Sequence, residues 1–91
     1  MTKVRLFGRA SEVAQGQKEL KISCKTLGEA LRYLNRKFGH QFTALIFDDS
    51  GNVRPFINIF VNRKHVNQLQ GLNTQLGDED EVLIVPAIAG G

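Results

Sequence analysis

The stretch Val82-Leu83-Ile84-Val85-Pro86, near the end of the 91-residue chain, is apolar at every position. A run of consecutive apolar residues is typical of a strand that is buried on both faces at the centre of a sheet. Proline cannot donate a hydrogen bond to a neighbouring strand, so we expect the strand to end at Pro86. The sequence therefore predicts a central strand followed by a short C-terminal tail.

A second strand is predicted over residues 56–62, where Ile57, Ile59 and Val61 alternate with other residues and share one face. Phe60 points to the opposite face. Other structure covers it, or it is exposed as part of a partner surface. Both alternatives stay open at this point.

The N-terminal half predicts a β-hairpin followed by a helix. The alternating apolar residues of the hairpin are Val4, Leu6, Leu20, Ile22 and Cys24, with a polar loop over 11–16. Thr26 and Glu29 fit a capping box at the start of a helix, and Gly39 is a plausible stop. The apolar stripe of this helix comprises Leu27, Ala30, Leu31, Leu34 and Phe38. Residues 42–47 predict a short helical or irregular stretch, and residues 69–76 a polar connection.

The order strand, strand, helix, strand, strand indicates the α+β class and the β-grasp (ubiquitin-like) plan: a mixed sheet with one main helix packed across it and a flexible C-terminal tail. We expect the first and last strands to be parallel neighbours at the centre of the sheet. The length of the chain predicts a single domain over residues 1–91, with 86–91 as the extended functional tail.

Composition excludes several classes of function. The chain is 42% hydrophobic and 23% charged, with a net charge of +3. These charges are scattered, so we expect no nucleic-acid partner. No run of 18 apolar residues or secretory segment is present, so we expect no membrane association and no export. Cys24 is the only cysteine, which excludes an internal disulfide and favours the cytoplasm.

No internal catalytic or metal site is expected. His40 and His65 are far apart in the sequence and have no partners at ligand spacing, so both are interpreted as surface polar residues. Cys24 is interpreted as a small hydrophobic residue on the inner face of its strand. The four acids at 78–81 would repel one another, and a solvated turn explains them better than an acid-base pair.

The tail offers different chemistry. Gly90-Gly91 is weak evidence as a bare dipeptide, but it ends an arm that has no side chain beyond Ile88. Such an arm is suited to a narrow channel, because glycine allows close approach of the backbone. The terminal carboxylate is ionised at neutral pH and is a suitable nucleophile for adenylation. We expect Gly-Gly to be the natural terminus, although trimming would give the same ending.

Three segments resemble the ubiquitin-like sulfur carriers of the MoaD, ThiS and CysO type, namely residues 54–62, 76–82 and 85–91. The resemblance spans nearly the whole chain. It implies a carrier rather than an enzyme, with no bound cofactor, adenylated at its C-terminus by an E1-like enzyme that uses ATP. It also implies a thiocarboxylate on Gly91, with Gly90 and Ala89 needed for access to the active site.

The resemblance leaves the sulfur acceptor open. The Pro-Ala ending and the strand with Asn58 and Asn62 are closer to the CysO-like branch, which favours cysteine biosynthesis and a cysteine synthase-like acceptor. Alternatives are the small subunit of molybdopterin synthase, which pairs with a large subunit, and a ubiquitin-like modifier that forms isopeptide bonds with lysine. Phe60 is a possible contact for such partners.

Overall fold

The computed structural model describes residues 1–87. The strands are β1 (Thr2–Leu6), β2 (Glu19–Ile22), β3 (Ile57–Val61), β4 (Lys64–His65) and β5 (Glu81–Pro86). The helices are α1 (Arg9–Glu12), α2 (Leu27–Phe38) and α3 (His40–Ile46), with 3₁₀ turns at Val66–Gln68 and Gly71–Asn73.

The five strands form one mixed sheet in the order β2-β1-β5-β3-β4. Strand β5 is parallel to β1, with Val4 opposite Val82, and antiparallel to β3, with Ile59 opposite Ile84. The expected central position of the last strand is confirmed. Its inner-face residues Val82 and Ile84 are buried in the core, whereas Leu83 and Val85 on the other face are only half-buried, so the expected burial on both faces is wrong for the outer one.

Helix α2 packs across the inner face of the sheet. The Thr26 hydroxyl accepts a hydrogen bond from the Glu29 N–H at 3.2 Å, which confirms the cap. The Glu29 carboxylate accepts a hydrogen bond from the Lys25 N–H at 2.9 Å. In a standard capping box it would accept from the N–H of the cap residue itself, here Thr26, which is one residue later. Gly39 ends the helix at a φ of 85°, which favours glycine.

The core lies between this helix and the inner face of the sheet. Its largest buried side chains are Phe42, Ile22, Leu27, Leu31, Leu34, Ile46, Ile59 and Ile84. Most of them come from the predicted stripe of α2 and from the alternating positions of the strands. The β-grasp plan is confirmed in this arrangement.

Strand β4 and helix α1 were not predicted. Strand β4 pairs with the edge of β3, and two residues of left-handed backbone, Asn62 (φ 50°) and Arg63 (φ 73°), connect them. The polar loop after β1 contains the short helix α1, which buries Ala10 and Ser11. The cluster at 42–47, predicted as a short helical or irregular stretch, lies mostly in α3, which buries Phe42 and Ile46 and confirms the helical alternative. Within residues 1–87, no helix has both the length and the apolar character needed to cross a membrane.

Candidate functional site

The root of the tail is the end of central strand β5. Beyond Pro86, the Ala87 N–H donates to the Phe56 carbonyl at 2.7 Å, which extends the ladder with β3 by one residue. Ala87 is exposed. The predicted site residues Ala89, Gly90 and Gly91 lie outside the described residues, so their roles stay predictions.

The other end of β5 is held by a cluster of polar contacts. The Asn62 amide donates to the Asp80 carboxylate at 2.8 Å and accepts from the Glu81 N–H at 3.0 Å. The second Asp80 oxygen accepts from the Gly77 N–H at 2.8 Å. The tail-bearing strand is therefore tied at its start to the β3–β4 turn and along both sides to its neighbours.

The acidic turn at residues 78–81 is exposed to solvent in part, and Asp78 and Asp80 also make stabilising contacts. The ammonium group of Met1 donates to the Asp78 carboxylate at 2.8 Å, and this hydrogen bond together with the positive charge lowers the pKa of Asp78. Asp78 and Glu79 are exposed, as expected of a solvated turn, whereas Asp80 is half-buried. The prediction missed the structural role of Asp80, because its partner Asn62 is 18 residues away in the sequence.

The open face of the sheet carries a row of side chains across its centre. In register, Arg5 of β1 lies opposite Leu83 of β5, Leu83 lies opposite Phe60 of β3, and Phe60 lies opposite His65 of β4. The Arg5 guanidinium lies 5.4 Å from the centre of the Phe7 ring and 4.0 Å from the Glu81 carboxylate. The face thus combines an apolar centre with charged groups at its side, as protein-binding surfaces commonly do.

His65 holds Phe60 in place on this face. The two rings meet edge to face, with centroids 5.3 Å apart. The Asn67 N–H donates to Nδ1 of His65 at 3.1 Å, so Nε2 carries the proton in the neutral ring and donates to the Asn58 side-chain oxygen at 3.2 Å. Phe60 is half-buried, and its role as a partner contact stays a prediction.

His65 is therefore a supporting residue that sequence spacing did not reveal. The interpretation of both histidines as surface polar residues fits His40, which is exposed, but not the half-buried His65. The available sequence signal was Asn62 at the end of the predicted strand, since asparagine favours the left-handed backbone of a tight hairpin turn, which the structure shows at Asn62 and Arg63.

The remaining nucleophile and metal candidates have structural explanations. Cys24 is half-buried against the core, and burial raises the pKa of its thiol, which disfavours the reactive thiolate. Among residues 1–87, no three or more His, Cys, Asp or Glu side chains are grouped so that they could hold a metal ion.

Comparison with known proteins agrees with this geometry. The model of the ThiS family matches residues 4–91. The sulfur carrier protein CysO of Mycobacterium tuberculosis is 38% identical over 77 residues, which cover 84% of this chain and 83% of that protein. Small archaeal modifier protein 3 of Haloferax volcanii is 35% identical over 91 residues, with 97% and 96% covered.

Comparison with solved structures also finds a sulfur carrier protein. The crystal structure of Mycobacterium tuberculosis CysO matches with a TM-score of 0.83 at 31% identity, covering 97% of this chain and all of that one. The shared features extend from β1 to the C-terminal segment, so they include both the sheet and the tail. The chain therefore belongs to the ThiS family, which confirms its resemblance to the ubiquitin-like sulfur carriers.

Proposed function

We propose that this chain is a sulfur carrier whose Gly91 carboxylate is adenylated and then converted to a thiocarboxylate. The observation that best supports this proposal is the position of the tail root at the end of the central strand. The last described backbone hydrogen bond, from Ala87 to Phe56, leaves four residues before the terminal carboxylate. Fully extended, four residues span at most about 14 Å, enough to enter a channel while the domain stays outside.

In the proposed chemistry, a carboxylate oxygen of Gly91 attacks the α-phosphorus of ATP and pyrophosphate leaves. Hydrosulfide, or an equivalent sulfur donor, then attacks the acyl carbon of the adenylate. The bond to AMP breaks, AMP leaves with the bonding electrons, and the thiocarboxylate remains on the carrier. Transfer of sulfur to an acceptor with hydrolysis of the acyl group returns the free acid.

The chain's own contribution is to present the carboxylate. We propose that it binds no cofactor and catalyses no step, that ATP is used by an E1-like partner enzyme, and that the cycle operates in the cytoplasm. The open sheet face around Phe60 is proposed as a contact with this enzyme, because it has an apolar centre and because Phe60 pairs with Leu83 on the same strand that carries the tail. Gly90 and Ala89 supply clearance inside the channel, since neither has a large side chain.

The proposal is tested by mass spectrometry of the intact chain after incubation with the activating enzyme of the same organism, ATP and sulfide. We expect a product in which one oxygen is replaced by sulfur. A reaction without ATP and a chain that lacks Gly90 and Gly91 serve as controls. Absence of the sulfur-containing product from the complete reaction would refute the proposal.

For the acceptor, we favour a cysteine synthase-like enzyme, because the CysO relative aligns over most of both chains. Molybdopterin synthase is the alternative. Deletion of the gene separates them: a requirement for added cysteine supports the first pathway, whereas loss of molybdenum-enzyme activity with normal growth on sulfate supports the second.

A second candidate function is protein modification, which is supported by the similarity to a small archaeal modifier protein along nearly the whole chain. The same acyl adenylate would pass to a thiol and then to a lysine amine, forming an isopeptide bond. Lysine peptides that carry a Gly-Gly remnant, found in cells with the gene and absent from cells without it, would support this function.

A further inference from the structure

A groove lies beside the tail root, on the side of the sheet opposite the Phe60 face. It encloses about 520 Å³, and Leu45 of α3, Phe56, Pro86 and Ala87 form much of its lining. Phe56 is 43% exposed, a large apolar side chain that the fold leaves in contact with solvent. Gly8, with a φ of 56° and no atom close to where a Cβ would be, keeps one end of the groove open.

The rim of this tail-root groove is charged. Arg9 and Glu12 of α1 lie along it, and an adjoining depression continues past Arg54 and His40. The Arg54 Nε donates to the Ala44 carbonyl at 2.9 Å, which fixes the guanidinium group. On the groove itself Arg9 and Glu12 balance each other, and Arg54 of the adjoining depression adds one positive charge beside them, which would favour a partner that carries a carboxylate.

The position of the groove relates it to the tail. The Phe56 carbonyl accepts the Ala87 hydrogen bond, so the residue that lines the groove also ends the ladder of the tail-bearing strand. On β5, Val85 points to the open face and Pro86 to the inner side. An enzyme whose channel takes in all four residues beyond Ala87 brings its channel mouth to Ala87, where it meets the groove.

We propose that the tail-root groove receives an apolar side chain, flanked by a carboxylate, from the channel mouth of the adenylating enzyme. The side chain packs on Phe56 and Leu45, and the carboxylate pairs with Arg9. The enzyme thereby holds the carrier on both sides of its tail, which limits rotation of the domain about the tail and aligns the carboxylate. This inference rests on the proposed function, since adenylation is the step at which the carboxylate first enters an active site.

The test measures KM for the carrier in ATP–pyrophosphate exchange with the adenylating enzyme of the same organism. Phe56→Ala is compared with Tyr33→Ala, because Tyr33 is an aromatic residue of α2 with a nearly equal exposure of 44%. Arg9→Glu is compared with Arg32→Glu, the same charge change at an exposed position on α2. Thermal unfolding of each variant confirms that it is folded.

We expect KM to rise about tenfold for Phe56→Ala and several-fold for Arg9→Glu with kcat nearly unchanged, and the α2 variants to match the wild type. If the wild type is adenylated and the groove variants match their controls, the groove inference is wrong while the proposed function stands. If the wild type is not adenylated at all, both the groove inference and the proposed function are refuted. Should Phe56→Ala fail to fold, the Arg9→Glu comparison decides.

Two other occupants are checked by NMR of the chain alone. Signals of Leu45 and Phe56 that shift with protein concentration would identify a second copy in the groove. Signals of Leu45 and Phe56 that shift when Ile88 is replaced by alanine, with the rest of the chain kept, would identify the chain's own tail. Either result would overturn the assignment of the groove to the enzyme, whereas unchanged signals support it.

Discussion

Replacing Asn62 by alanine is expected to loosen the start of the tail-bearing strand. Asn62 adopts a left-handed φ of 50°, and its side chain bonds both the Asp80 carboxylate and the Glu81 N–H. Alanine loses both hydrogen bonds, about 0.5 kcal/mol each at this exposed site. It also adds about 1.5 kcal/mol of left-handed backbone strain. Asn62→Ala should therefore lower the free energy of unfolding by about 2.5 kcal/mol in total.

A glycine variant separates these two causes. Asn62→Gly loses the same hydrogen bonds but adopts a positive φ without strain, at a cost of about 0.5 kcal/mol in unfolded-chain entropy. We expect a loss of about 1.5 kcal/mol for glycine. For a domain of this size, one kcal/mol corresponds to roughly 4–8 °C in Tm, so the two variants should melt about 5 °C apart.

The assay is thermal unfolding followed by circular dichroism, with urea unfolding as a second measurement. Asn73→Ala, an exposed asparagine outside the left-handed region, is the matched control and should stay within about 0.5 kcal/mol of wild type. Equal Tm values for the alanine and glycine variants would refute the strain argument. A glycine variant as stable as wild type would show that the bonds to Asp80 and Glu81 contribute nothing.

Three further outcomes are expected. Thr26→Ala removes the cap of α2 and should lower the free energy of unfolding by about 1 kcal/mol, measured in urea, whereas Thr26→Ser should restore most of it. Phe60→Ala should raise KM for the carrier about tenfold in the adenylation assay with little change in circular dichroism, and an unchanged KM would remove the open face from the interface. Because the Met1 ammonium lowers the pKa of Asp78, their pairing stabilises the fold above the ordinary carboxyl pKa of about 3.9 and is lost as pH falls through the lower folded value. Unfolding curves should therefore show a smaller loss of stability below about pH 4 for Asp78→Asn than for wild type. An equal loss of stability at low pH in the two proteins would contradict this pairing.

The helix and the central strand were predictable because their signals are local. The Thr26 hydroxyl and its N–H partner are three residues apart, and the apolar stripe of α2 repeats within twelve residues. Strand β5 is apolar in one continuous run, which indicates a central strand; the run did not show that only the face of Val82 and Ile84 is buried. The chemistry proposed for Gly91 likewise depends on a short terminal segment that is legible in the sequence.

The sequence by itself thus determined the four main strands and the capped helix, because side-chain periodicity and capping act within a few residues, and it supplied the prediction that the C-terminal tail is the reactive segment. Tertiary structure alone decided the row from Arg5 to His65, the support of Phe60 by His65, and the anchoring of β5 through Asn62 and Asp80. It also decided the tail-root groove, where α1, α3 and β5 meet. The physical reason is that these contacts join residues far apart in the chain, and their register follows from sheet pairing and core packing together.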